Sequence, residues 1–119
     1  MDVYGANETT EQIAVVNYCT AIGVPIVHIP NEGKRSVVTG AQLKAMGMQR
    51  GFPDLFVPLA RMGYHGLFIE MKYGKGKLSD PQREWLSRLN NEGYAVCVCY
   101  SADEAIGKIN KYREGDDGR

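Results

Sequence analysis

The stretch GLFIEMK, residues 66–72, reads as a short apolar strand with a glutamate and a lysine set into its second half. Burying either charge alone costs several kcal/mol, so a strand with a purely structural task has no use for both. Side chains alternate along a strand, which sends Glu70 and Lys72 to one face with Phe68, and Ile69 and Met71 to the other. Asp54 opens a second candidate strand. If the two strands form a hairpin it lies beside the charged end of the first, since neighbouring strands run about 5 Å apart. Two carboxylates that close repel each other unless a divalent cation sits between them. A hard ion such as Mg²⁺ suits carboxylate oxygens, a backbone carbonyl and retained water. Lys72 is a compact charge that can neutralise a phosphate oxygen or orient an attacking water. The chemistry expected of this trio is metal-assisted hydrolysis of a phosphodiester. The competing reading is an ion pair at a strand end, with Asp54 an unrelated turn residue after Pro53.

These residues need elements to hold them. Residues 8–22 carry a helical pattern, with Ile13, Val16 and Thr20 on one face, Val15, Cys19 and Ile22 beside it, and Gly23 placed to stop it. VPIVHI (24–29) is β-branched and runs into Pro30, which predicts a strand leading into the loop PNEGKRSVV. Thr39 and Gln42 stand at capping-box spacing before a short helix that Gly47 would end. DLFVPL (54–59) and GLFIEMK are strands of a hairpin joined by ARMGYH. Ser79 and Gln82 form a second capping box, opening a helix whose Trp85, Leu86 and Leu89 turn inward and which ends near Gly93. YAVCVCY (94–100) is a buried strand, and SADEAIGKINKYR a final amphipathic helix. The expected order is α–β–α–β–β–α–β–α, an α/β fold with a small mixed sheet flanked by helices on both faces.

At 119 residues the chain fits one domain spanning 1–119, with its core over about 8–112 and a frayed acidic tail at 114–119. No apolar run approaches the roughly 20 residues that span a bilayer, and the acidic, polar N-terminus is unlike a secretory signal. Three cysteines, two of them alternating at 97 and 99, lack the spacing and the nearby histidines of a zinc site, and read as buried free thiols in a reducing cytoplasm. Fourteen basic residues balance fourteen acidic ones, so overall charge says nothing for a nucleic-acid partner. Its distribution does. Lys34, Arg35, Lys44 and Arg50 outweigh Glu32 in one segment, and Lys72, Lys75, Lys77, Arg83 and Arg88 outweigh Asp80 and Glu84 in another. If the two meet in space, a neutral protein still presents a phosphate-binding face.

With PD at 53–54, fifteen intervening residues and EMK at 70–72, the chain resembles the PD-(D/E)XK nuclease superfamily. Within it, EQ at 11–12, HIPNEGKR at 28–35, LKAMGMQRGFPDL at 43–55, GLFIEMK and LSDPQREWL at 78–86 resemble the VRR-NUC domains, virus-type replication–repair nucleases, over nearly the whole chain. The resemblance implies a restriction-endonuclease-like fold and a metal-dependent phosphodiesterase. Asp54, Glu70 and the Met71 carbonyl would bind Mg²⁺ or Mn²⁺, and Lys72 would assist the nucleophilic water. An acidic residue of the first helix would complete the site, directly or through water: Glu11, with Glu8 as its competitor. Gln82 matches the glutamine that follows the active strand in the family, beside its capping role. The resemblance also places the loop bearing Asn31, Lys34 and Arg35 near the site, as DNA-backbone or metal-site support.

Lys75 and Lys77, with Arg50 and Arg83, suit phosphate contacts that strengthen binding without reading sequence. YGKGKLS is not a nucleotide-phosphate loop, because Lys77 is followed by leucine. His28 is read as a strand-end histidine making one hydrogen bond, and His65 as structural. Stand-alone domains of this kind resemble Holliday-junction resolving enzymes, which implies a homodimer with two sites on one junction and a bacterial or phage-encoded DNA-repair setting. Two alternatives stay open: a nuclease of flaps, nicks or ordinary duplex, and a structure-specific DNA-binding module without catalysis.

Overall fold

The computed structural model describes residues 8–30 and 40–115. Its elements follow the order α1 (Glu8–Ile22), β1 (Val27–His28), α2 (Gly40–Ala45), β2 (Leu55–Val57), β3 (Leu67–Met71), α3 (Asp80–Asn91), β4 (Ala95–Cys99) and α4 (Ala102–Arg113). One four-stranded sheet runs β1-β2-β3-β4. The first three strands are antiparallel neighbours and β4 lies parallel to β3, with α3 as the crossover. The β2–β3 hairpin turns through Met62 and Gly63, at φ 51° and 83°, between the bridged pair Arg61 and Tyr64. Positive φ at both turn residues matches the twist of the strands that flank them.

Alternation on β3 divides the molecule into two layers. Leu67, Ile69 and Met71 join Leu55 and Val57 of β2 against Val15 and Cys19 of α1 and Ala105, Ile109 and Tyr112 of α4. Phe68 points the other way, into an aromatic cluster. It stacks on Phe56 at 4.4 Å and meets Phe52 and Tyr94 edge-on at 5.4 and 5.1 Å, while Phe52 packs on Trp85 of α3 at 5.0 Å. The expected fold class and element order are thus those observed.

Local expectations differ at the first strand and on α1. The first strand is two residues long rather than six, because Val24 closes the end of α1, its N–H donating to Cys19 O at 2.9 Å, and Pro25 has no N–H to pair. On α1 the buried positions are Val15 and Cys19, whereas Ile13 and Ile22 are 41% and 43% exposed. Apolar residues encircle this helix, so polar anchors choose the face: Glu11 accepts from Ala102 N at 2.8 Å and Tyr18 Oη from Asn110 Nδ2 at 3.0 Å. Gly47 ends α2 as expected. Its φ is 104°, its N–H donates to Lys44 O, and Met48 N–H donates to Leu43 O, a Schellman closure.

Candidate active site

Glu70 is buried, at 3% exposure, on a strand whose five residues are all buried. Asp54 immediately precedes β2. The register pairs Leu55 with Ile69, so one step further along the ladder sets Asp54 opposite Glu70. The Asp54 Oδ2 atom accepts a hydrogen bond from Met71 N–H at 2.8 Å, which fixes the carboxylate against the end of β3. Lys72 follows, half-buried, its N–H donating to Cys99 O at 2.8 Å and its stem running beside Gly76 of the Tyr73–Gly76 turn. Alternation returns it to the face of Glu70. The structure therefore brings Asp54, Glu70 and Lys72 to one end of the β2–β3 pair.

Gln82 holds Glu70 in place. Its Nε2 donates to Glu70 Oε2 at 3.2 Å, while its Oε1 accepts from Ser79 N–H at 2.8 Å. Ser79 Oγ in turn accepts from Gln82 N–H at 3.3 Å, completing the capping box of α3. A single amide group thus closes the capping box and meets the Glu70 carboxylate.

The segment leading to Asp54 is clamped as well. Gly51, at φ 82°, lies so close to α3 that a Cβ there would meet Pro81 C at 2.6 Å and Gln82 N at 2.7 Å. Only glycine fits that gap and that backbone. Pro53 is buried next to it. On the other side the Asp54 carbonyl accepts from Ile29 N–H at 2.8 Å, and His28 Nδ1 lies 3.1 Å from the same oxygen. Gln12 Nε2 approaches that ring nitrogen at 2.9 Å; Nδ1 either donates to the carbonyl or accepts from the amide, so it forms one of these two hydrogen bonds in either tautomer. His65 is structural as expected, packed on Tyr94 and against Gly93, its N–H donating to Gly93 O.

A divalent cation suits the donor chemistry of this edge. Two opposed carboxylates supply hard, anionic oxygen atoms, the ligand type that Mg²⁺ and Mn²⁺ prefer. Among the described residues, no three His, Cys, Asp or Glu side chains gather closely enough to hold a metal. Glu11 Oε1 accepts from Ala102 N–H at 2.8 Å, which puts this carboxylate at the N-terminus of α4. The Glu8 side chain, Asn31, Lys34 and Arg35 lie outside the described residues. Arg50, Lys75 and Lys77 are exposed, as phosphate contacts require. The Arg83 guanidinium is occupied on its own helix, donating to Leu78 O at 2.8 Å and paired with Asp80. All three cysteines carry free thiols. Cys97 and Cys99 share a hydrogen bond, which together with burial holds the Cys97 thiol well above its usual range.

The VRR-NUC domain family matches residues 9–103 of this chain. A solved structure titled "VRR_NUC domain protein" superposes with a TM-score of 0.78 at 32% identity, covering 92% of this chain and 91% of the other. Nothing among curated proteins matches. The chain belongs to the VRR-NUC domain family, and is by that membership a nuclease-type, DNA-acting domain. No helix among the described residues is long and apolar enough to cross a membrane.

Proposed function

We propose that the protein is a metal-dependent DNA endonuclease that hydrolyses phosphodiester bonds, acts on branched DNA such as a four-way junction, and works as a homodimer. The observation that carries the catalytic part is the placement of Asp54 opposite Glu70, with Lys72 beside them at the end of β3. In this reading Asp54 and Glu70, with the Met71 carbonyl, hold Mg²⁺ or Mn²⁺, which when bound supplies Lewis-acid stabilisation of the phosphate and a more acidic water. Lys72 orients the attacking water and offsets charge on the phosphate. Gln82 is a positioning residue, since it touches Glu70 rather than the reacting atoms. Glu11 completes the site through water, because its carboxylate already serves Ala102 N. Arg50, Lys75 and Lys77 grip the backbone, with Asn31, Lys34 and Arg35 as further contacts.

The junction preference and the dimer rest on resemblance to stand-alone resolving enzymes, since cutting two symmetric strands calls for two sites related by a twofold axis. The test incubates linear, flap and four-way-junction DNA with the protein in Mg²⁺, Mn²⁺ or EDTA, alongside Asp54→Asn. Cutting only with metal, fastest on junctions and lost in the variant while binding persists, supports the reading. Faster cutting of flaps or linear duplex overturns the junction preference. Binding without cutting in every condition overturns catalysis. Sedimentation of the free protein separates a dimer from a monomer.

A further inference from the structure

Beside the carboxylate edge the molecule carries a cavity of about 550 Å³ between α2 and α3. That lies within the roughly 300–1,000 Å³ of ordinary ligand pockets. Lys44, Arg50 and Arg88 line it against a single acid, Glu84, so its wall is net positive. Trp85 forms its aromatic side. The sequence pattern turned this ring into the core, but the structure leaves it half-buried at the cavity. Phe52 holds it edge-on, and Arg88 Cζ sits 4.9 Å from the ring centroid. An indole braced from one side and topped by a guanidinium is a stacking platform for a planar, electron-rich group.

Two walls join this cavity to the carboxylate edge. Arg50 leads through Gly51 to Asp54, and Pro81 precedes the Gln82 that donates to Glu70. Gly51 itself is wedged against Pro81 and Gln82. An occupant would therefore lie one residue away, on either wall, from groups that position the site. Bases inside a duplex stack on each other and expose only their edges, so a guanidinium–indole stack lining a cavity suits a base outside the stack.

We infer that this groove receives one unpaired nucleotide of a DNA strand, its base on the Trp85–Arg88 pair and its phosphate between Lys44 and Arg50. The inference rests on the nuclease reading above for its substrate. It adds that the domain recognises unpaired DNA next to the cutting site, a feature of frayed junctions and flaps that intact duplex lacks.

Trp85 is the single tryptophan of the chain, so indole emission reports on this groove alone. The experiment titrates metal-free Asp54→Asn protein with a short oligothymidylate, and in parallel with an abasic strand of equal length and charge. The groove predicts roughly twofold quenching by the thymidylate and little by the abasic strand, with affinity for the thymidylate weakened about tenfold in a Lys44→Glu derivative. Lys44 is exposed, so that change leaves the fold intact. Equal responses to the two strands, or none, overturn the inference. Metal-dependent cutting without quenching overturns the groove and leaves the nuclease reading standing. Quenching in a protein whose wild type never cuts supports the groove and overturns the nuclease reading.

Discussion

Gln82 shows how a charged residue persists in the interior of a sheet. Glu70 would be costly if buried alone, and the Gln82 amide both meets it and closes the first turn of α3. The two functions separate by mutation. Ser79→Ala removes the hydroxyl cap and is expected to lower stability by about 1 kcal/mol in denaturant melts while leaving cleavage unchanged well below the transition. Gln82→Ala is expected to cost a similar amount of stability and also to slow cleavage about tenfold or more, because Glu70 loses its anchor. Equal cleavage by the two variants would reduce Gln82 to a capping residue. Glu11 is open to a parallel test. A carboxylate at the N-terminus of α4 satisfies an orphan N–H and the helix dipole, so Glu11→Ala is expected to lower stability by about 1 kcal/mol. An unchanged manganese affinity in that variant would confine Glu11 to the fold, whereas a marked loss would place it at the metal.

What was legible at the level of the elements was whatever short-range geometry decides. Alternation over Phe68, Ile69 and Glu70, the Ser79–Gln82 capping box, and glycines at the ends of helices all act within a few residues, and each is found where expected. The exposed side of α1 was misjudged because its anchors are distant: Glu11 meets Ala102, ninety-one residues away. The Trp85 cavity was missed because its wall needs Arg50 and α2 brought against α3, which no periodicity within α3 records. The close approach at Gly51 is of the same kind. It joins the loop before β2 to the start of α3, and Gly51→Ala forces both a strained φ and a backbone clash. That variant is expected to lose about 2 kcal/mol of stability by thermal or chemical melting, and cleavage with it. A near-neutral effect would mean that the clamp is loose.

Over the whole molecule, the formal charge is zero while exposed Lys44, Arg50, Lys75, Lys77 and Arg88 stand in and around the candidate site, so local field rather than net charge would draw DNA. Stability should also respond to alkali in a defined direction. Burial raises the Cys19 thiol above its ordinary 9.0 and the Tyr112 phenol above its ordinary 10.0. Well below pH 9 both groups are protonated whether the chain is folded or not, and their contribution is fully present. As pH rises, the unfolded chain releases protons that the folded chain retains, so the melting temperature is expected to fall between about pH 9 and 11. A flat profile there would show that neither group is shielded. Catalysis as proposed requires the two opposed carboxylates at the end of β2 and β3 to capture a divalent cation, which calorimetric titration of Mn²⁺ into metal-free protein measures. Saturable uptake is expected of the wild type and is abolished in Asp54→Asn and in Glu70→Gln; no uptake, or uptake that neither change affects, would overturn the assignment.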